Sequence, residues 1–134
     1  MIFLDTSAYS ALANAKVDIV NVVKSVQELT IPLPVIAELK YGFLKGSKKD
    51  INEKNLQRFL AQSNVSIAIP SYNTTSIYSE LQFYCSKNGK VLSHNDLWIA
   101  ALAKEVDGIL VTYDQDFMAL KGLMHEKLCI LKTA

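Results

Sequence analysis

Five short apolar runs, at residues 2–4, 29–33, 65–69, 109–112 and 128–131, alternate along the chain with stretches in which apolar residues recur at helical spacing. Strands separated by helices are joined by crossovers, so this order favours a mostly parallel five-stranded sheet covered by helices on both faces, an α/β/α sandwich. Residues 17–28 carry Ile19, Val22, Val23 and Val26 on one helical face, and residues 35–44 carry Ile36, Leu39 and Phe43. Thr6 or Ser7 is placed to cap a helix through Leu12, and Pro34 suits the first turn of the helix after the second run. Helical spacing resumes with Leu56, Phe59 and Leu60 after the polar connection at residues 46–50. Asn88-Gly89 and Asp107-Gly108 mark the ends of helices predicted over 74–87 and 96–106. With 134 residues, half of them hydrophobic, the chain reads as one domain spanning 1–134.

The same alternation arranges the acids. Asp5, Glu38, Asp96 and Asp114 each follow a strand-like run or fall in the first turns of the helix beyond one. In a parallel sheet such positions open onto a single edge, where carboxylates distant in sequence converge. Converging carboxylates repel unless a hard cation neutralises them, which points to Mg²⁺ or Mn²⁺, as one or two ions, and to phosphodiester hydrolysis. Three or four carboxylates suffice to place such ions, and no side-chain nucleophile is then required.

Each acid also has a plainer reading. Asp5 at a strand end is a natural helix cap. Ser93 with Asp96 three residues on resembles a capping box, and an early acid suits the helix dipole. Asp114 and Asp116 lie in a polar turn where Asp is common. Glu38 resists such a reading, because it neighbours Ile36 and Leu39 and an unpaired buried carboxylate is costly. Trp98 is assigned to the core, Tyr41, Phe43 and Leu44 to helix packing, and His94 to a loop.

The net charge of +1 conceals an asymmetry. Setting aside Asp5, Glu38, Asp96, Asp114 and Asp116 leaves eight of the 13 acids against 14 Lys and Arg, an excess of about +6. A basic exterior around an acidic pocket suits a nucleic-acid backbone, with Lys45, Lys48, Lys49, Lys54 and Arg58 as a candidate rim or simply a solvated hairpin. Cys85 and Cys129 form no CxxC and the two histidines, His94 and His125, stand apart, so reduced thiols are expected and a structural zinc is not. The sequence shows no leader-like segment at its start and no run long enough to span a membrane, and a cytoplasmic location is expected.

Four blocks resemble the PIN domain, and within it the VapC-like toxins of toxin–antitoxin pairs: Phe3-Leu4-Asp5-Thr6-Ser7, Ala37-Glu38-Leu39 with Gly42, Asn95-Asp96-Leu97-Trp98-Ile99-Ala100-Ala101, and Val111-Thr112-Tyr113-Asp114-Gln115-Asp116-Phe117. The resemblance implies a PIN-like sandwich and a metal-dependent ribonuclease. It also implies a homodimer and a small antitoxin protein that holds the enzyme inactive. It assigns Asp5, Glu38, Asp96 and Asp114 to the acidic quartet that binds metal, with Asp116 as an auxiliary acid. Thr6 and Thr112 become hydroxyls that orient a carboxylate or a metal-bound water. Other classes stay open beside it: a PIN-type enzyme of housekeeping RNA processing, a peptide-docking module using the acids without catalysis, and an aspartyl-phosphate phosphatase. The last usually wants a second Asp two residues after the first, where this chain has Ser7.

Overall fold

Strand β1, Ile2–Leu4, is buried at all three positions. Successive strand residues face opposite sides of a sheet, so burial at every position means that both faces are covered. A computed structural model describes residues 1–132 and gives the order β1, α1 (Thr6–Ala13), α2 (Val17–Lys24), β2 (Leu29–Pro32), α3 (Leu33–Lys45), α4 (Lys49–Leu60), β3 (Val65–Ala68), α5 (Tyr72–Lys87), α6 (His94–Glu105), β4 (Ile109–Thr112), α7 (Lys121–Met124) and β5 (Leu128–Ile130). Two 3-10 turns, Gln115–Leu120 and His125–Lys127, flank α7. The strands lie in the order β3-β2-β1-β4-β5, and every pairing is parallel. The chain builds outward from β1 in one direction through β2 and β3, then returns to add β4 and β5 on the other side. The order therefore reverses between β1 and β4, and side chains at the carboxyl ends of those two strands border the crevice where α/β sheets hold ligands.

The core runs through the sheet and α6, with Phe3, Leu4, Ile31, Leu97, Ile99, Leu110 and Phe117 among its fully buried side chains. Helix α6 is apolar nearly all round, with Leu97 and every residue from Ile99 to Ala103 buried. Helix α3 buries Val35, Ile36 and Leu39 and then runs beyond the core, leaving Tyr41 and Leu44 exposed. Their assignment to packing by helical spacing is thus corrected. Trp98 is half-buried instead of lying in the core, stacked at a tilt on Tyr78 with ring centroids 4.3 Å apart. His94 opens α6 and does not sit in a loop; its Nδ1 is hydrogen-bonded to the Tyr78 hydroxyl.

Helix ends follow the local chemistry. After α5 the Gly89 φ of 65° allows the Lys90 N–H to reach the Cys85 carbonyl (2.8 Å) and the Gly89 N–H that of Ser86 (3.3 Å). After α6 the same pair of bonds forms with Asp107, not Gly108, in the left-handed conformation (φ 55°). Gly108 has another duty: a Cβ there would lie 2.5 Å from the buried Phe3 ring. Helix α2 stops at Lys24, short of the predicted residue 28, with the Ser25 hydroxyl donating to the Val22 carbonyl at 2.7 Å.

Because Phe3 is fixed on both sides, Gly108→Ala forces the ring or β4 to shift. The expected cost is about 1–3 kcal/mol of stability, read as a lowered urea midpoint with an unchanged slope.

Candidate active site

The carboxyl end of β1 delivers Asp5, which is only 4 % exposed. Its Oδ1 accepts the Ala8 N–H at 2.9 Å and the Ser7 hydroxyl at 2.8 Å, and its Oδ2 accepts the Thr112 hydroxyl at 2.5 Å. Asp5 itself, not Thr6 or Ser7, is therefore the N-cap of α1, and the capping reading is correct as far as it goes. Capping occupies one oxygen. The other is held by a hydroxyl from the neighbouring strand, an arrangement a simple cap does not need. Burial holds the Asp5 carboxyl above its ordinary range against these hydrogen bonds, with Asp114 adding repulsion.

Thr112 ties the two strands together. While donating to Asp5 it accepts the Asp114 N–H at 2.9 Å, which turns the chain out of β4. Asp114 then caps the first 3-10 turn, taking the Asp116 N–H on Oδ1 at 2.9 Å, so Asp116 enters through its backbone while its side chain is exposed. Glu38, half-buried on α3, accepts the Thr6 hydroxyl on Oε1 at 2.5 Å. Ser93 caps α6 by accepting the Asp96 N–H at 3.1 Å. That is one half of a capping box.

The Asp96 carboxyl reports its surroundings. It is pushed up to about 6, first by burial, then by the charges of Asp114, Glu38 and Asp5, with the nearby Ser93 hydroxyl opposing. All three other acids of the quartet thus act on it, so the structure brings the four carboxylates into one electrostatic neighbourhood. No cation answers them: among the described residues the only salt bridges are Lys40–Glu53 and Lys127–Asp107.

The acids face one another without closing on a point. Among the described residues no three His, Cys, Asp or Glu side chains are grouped closely enough to hold an ion as they stand. Electrostatic coupling and ligating distance are different tests, and the site passes the first alone. Asp5 accepts three hydrogen bonds and Glu38 one, all from neutral donors. As a donor set, four carboxylates with adjacent hydroxyls and no imidazole or thiolate match a hard, oxygen-seeking divalent cation.

The Thr6 hydroxyl donates to Glu38 and that of Thr112 to Asp5, pairings that the sequence does not specify. Ser7 was read there only as a cap or as the residue replacing a second Asp. Its hydroxyl binds Asp5, and its oxygen accepts the Tyr113 N–H at 2.9 Å, joining the two loops.

The sequence matches the PIN domain over residues 2–123. The chain belongs to the PIN-domain family. Ribonuclease VapC2 of Rickettsia felis is 36% identical over 93 residues, which cover 69% of this chain and 68% of the relative. Ribonuclease VapC5 of Mycobacterium tuberculosis is 28% identical over 125 residues, covering 89% and 87%. Among solved structures, VapBC2 of Rickettsia felis bound to a DNA fragment from its promoter superposes with a TM-score of 0.79 and 28% identity, covering 98% of each chain. VapBC-1 of nontypeable Haemophilus influenzae, with a TM-score of 0.78, 21% identity and 98% coverage of each chain, shares the PIN fold. The sandwich expected from the sequence is borne out, with a sheet that is parallel throughout.

Because the folded protein raises the Asp96 pKa from 3.8 to about 6, its proton is bound more tightly folded than unfolded. Stability of the metal-free PIN domain is therefore greatest below about pH 4 for this group and falls as pH rises through about 6. The expected loss is about 1–2 kcal/mol, discounted because the group is half exposed. Urea melts at pH 4 and pH 7 should show it, and Asp96→Asn should flatten the difference.

Proposed function

We infer that this PIN-domain chain is a divalent-metal-dependent endoribonuclease, the toxin of a toxin–antitoxin pair. One observation carries the reading: carboxylates from β1, α3 and the end of β4 bear on a half-buried Asp96 of α6, and among the described residues none of the four is in a salt bridge. Nothing in the fold's stability calls for that, and cation binding accounts for it. Its relatives named as VapC ribonucleases and its likeness to a solved VapBC complex give the nucleic-acid chemistry and the antitoxin partner.

In this reading Asp5, Glu38, Asp96 and Asp114 are the catalytic carboxylates and would hold Mg²⁺ or Mn²⁺, as one or two ions. The bound cation supplies Lewis-acid activation of the phosphodiester and neutralises charge developing on it. Thr112 and Ser7 fix the Asp5 carboxylate, Thr6 fixes Glu38, and the Asp116 N–H fixes Asp114. The Asp116 side chain is an auxiliary acid at the rim. Lys45, Lys48, Lys49, Lys54 and Arg58, exposed along the end of α3 and on α4, suit the flanking phosphates of an RNA. A homodimer and a cytoplasmic site of action belong to the same reading, and among the described residues no helix is long and apolar enough to cross a membrane. The aspartyl-phosphate alternative loses support, because Ser7, at its second-acid position, is spent on holding Asp5.

The test is cleavage of a mixed RNA pool by the purified protein with and without Mn²⁺. Cleavage should require the ion and fall on the order of 100-fold or more in Asp5→Asn and Asp96→Asn. Thr112→Val should lose about 10-fold to 100-fold in metal affinity or activity, as oriented ligands do when their support is removed. Metal-independent cleavage, or full activity in Asp5→Asn, would contradict the reading. Expression in cells should arrest growth, and the same Asp5→Asn change should relieve it.

A further inference from the structure

Between Thr112 and Asp114, the chain leaves β4 through one residue, Tyr113, and three hydrogen bonds secure that exit. Two lie within the site: the Tyr113 N–H donates to the Ser7 oxygen and the Asp114 N–H to the Thr112 oxygen, both at 2.9 Å. The third leaves it. The Tyr113 hydroxyl donates to Asp18 Oδ1 at 2.5 Å, across 95 residues of sequence, reaching the first turn of α2.

We propose that Tyr113 and Asp18 are a positioning pair that fixes the direction in which Asp114 leaves β4, and so sets how tightly the site holds its divalent cation; this rests on the ribonuclease reading above.

The Asp18 end is tied to its own helix. Asp18 Oδ1 also takes the Ile19 N–H at 2.9 Å, which pins the carboxylate to its own helix, and Ile19 is fully buried, which pins that turn of α2 to the core. The Tyr113 hydroxyl is the donor, because the Asp18 carboxylate can only accept. Its hydrogen bond in turn holds Asp18 below the usual carboxylate range. Asp114 begins immediately after this clamp. Its N–H is held by the Thr112 oxygen and its carboxylate by the Asp116 N–H, so Tyr113 is the residue through which the exit direction reaches Asp114. The plain reading of Asp18 is an acid suiting the α2 dipole, which would act on stability alone.

The experiment uses the full chain with Tyr113→Phe, Asp18→Ala, Asp18→Asn and the Tyr113→Phe/Asp18→Ala double variant. It reads Mn²⁺ binding by calorimetry, RNA cleavage against Mn²⁺ concentration, and the melting temperature without metal. Tyr113→Phe and Asp18→Ala should each raise the Mn²⁺ half-saturation about threefold to tenfold, the effect of one hydrogen bond. The double variant should be no worse than either, because both remove the same contact. Asp18→Asn keeps an acceptor oxygen and should fall between wild type and Asp18→Ala. Cleavage at saturating Mn²⁺ should stay within about twofold of wild type in every variant. Unchanged Mn²⁺ half-saturation in Tyr113→Phe, or multiplicative effects in the double variant, would overturn the pair's role while wild-type cleavage upheld the enzyme. A lowered melting temperature in Asp18→Ala with unaltered Mn²⁺ affinity would return Asp18 to the dipole reading. Wild-type protein that neither binds Mn²⁺ nor cleaves RNA would overturn the ribonuclease reading, and the pair's role with it.

Discussion

Asp5, Glu38 and Asp114 all bear on a half-buried Asp96, and among the described residues none of the four is in a salt bridge; the proposed site depends on that placement. A fold does not gather like charges unless something else holds the elements that carry them. Here that is the apolar core: β1 buried on both faces, α6 buried nearly all round, and Phe117 and Leu120 drawing the turn after Asp114 back onto the sheet. The parallel sheet then does the gathering, because the strand order reverses between β1 and β4 and leaves Asp5 and Asp114 on either side of one crevice. Helices α3 and α6 bring Glu38 and Asp96 to it.

Within that frame, hydroxyls and backbone N–H groups do the fine placement. Asp5 is the clearest case, with one oxygen capping α1 and taking Ser7, and the other on Thr112. These are neutral donors. They orient a carboxylate without cancelling its charge, whereas a lysine or arginine in the same place would stabilise the fold and spoil the site for a cation. The threonines and Ser7 thus resolve a conflict between holding the acids still and leaving them negative. The residual conflict is visible in the raised pKa values of Asp5 and Asp96.

Much of this was readable from the chain. Apolar runs located the five strands to within a residue or two, with Asp5 and Asp114 just beyond the ends of β1 and β4; Asp96 does not follow a strand, because α6 comes after helix α5. Local chemistry also gave Ser93 as the cap of α6 and the stop after α5, since both depend on neighbours in sequence. What escaped depends on distance or on competition for space. The Tyr113–Asp18 contact spans 95 positions and has no local pattern. Tyr41 and Leu44 share the helical spacing of buried residues, yet α3 has already passed the edge of the core when it reaches them. Gly108 read as a helix stop, but Asp107 takes the left-handed turn and Gly108 makes room for Phe3. Helix α2 also ends earlier than its apolar spacing suggests, with Ser25 as its C-cap.

As the proposed metal site, the four acids should take up a divalent ion and stabilise the folded chain when they do. The most direct measurement is the melting temperature of the purified chain as Mn²⁺ or Mg²⁺ is titrated at pH 7, beside an Asp5→Asn/Asp96→Asn variant. Wild type should show a saturable rise, because an ion that binds only the folded state stabilises it by mass action, and the variant should show none. A wild-type melting temperature indifferent to either ion, or one that rises equally in the variant, would contradict the proposed metal site.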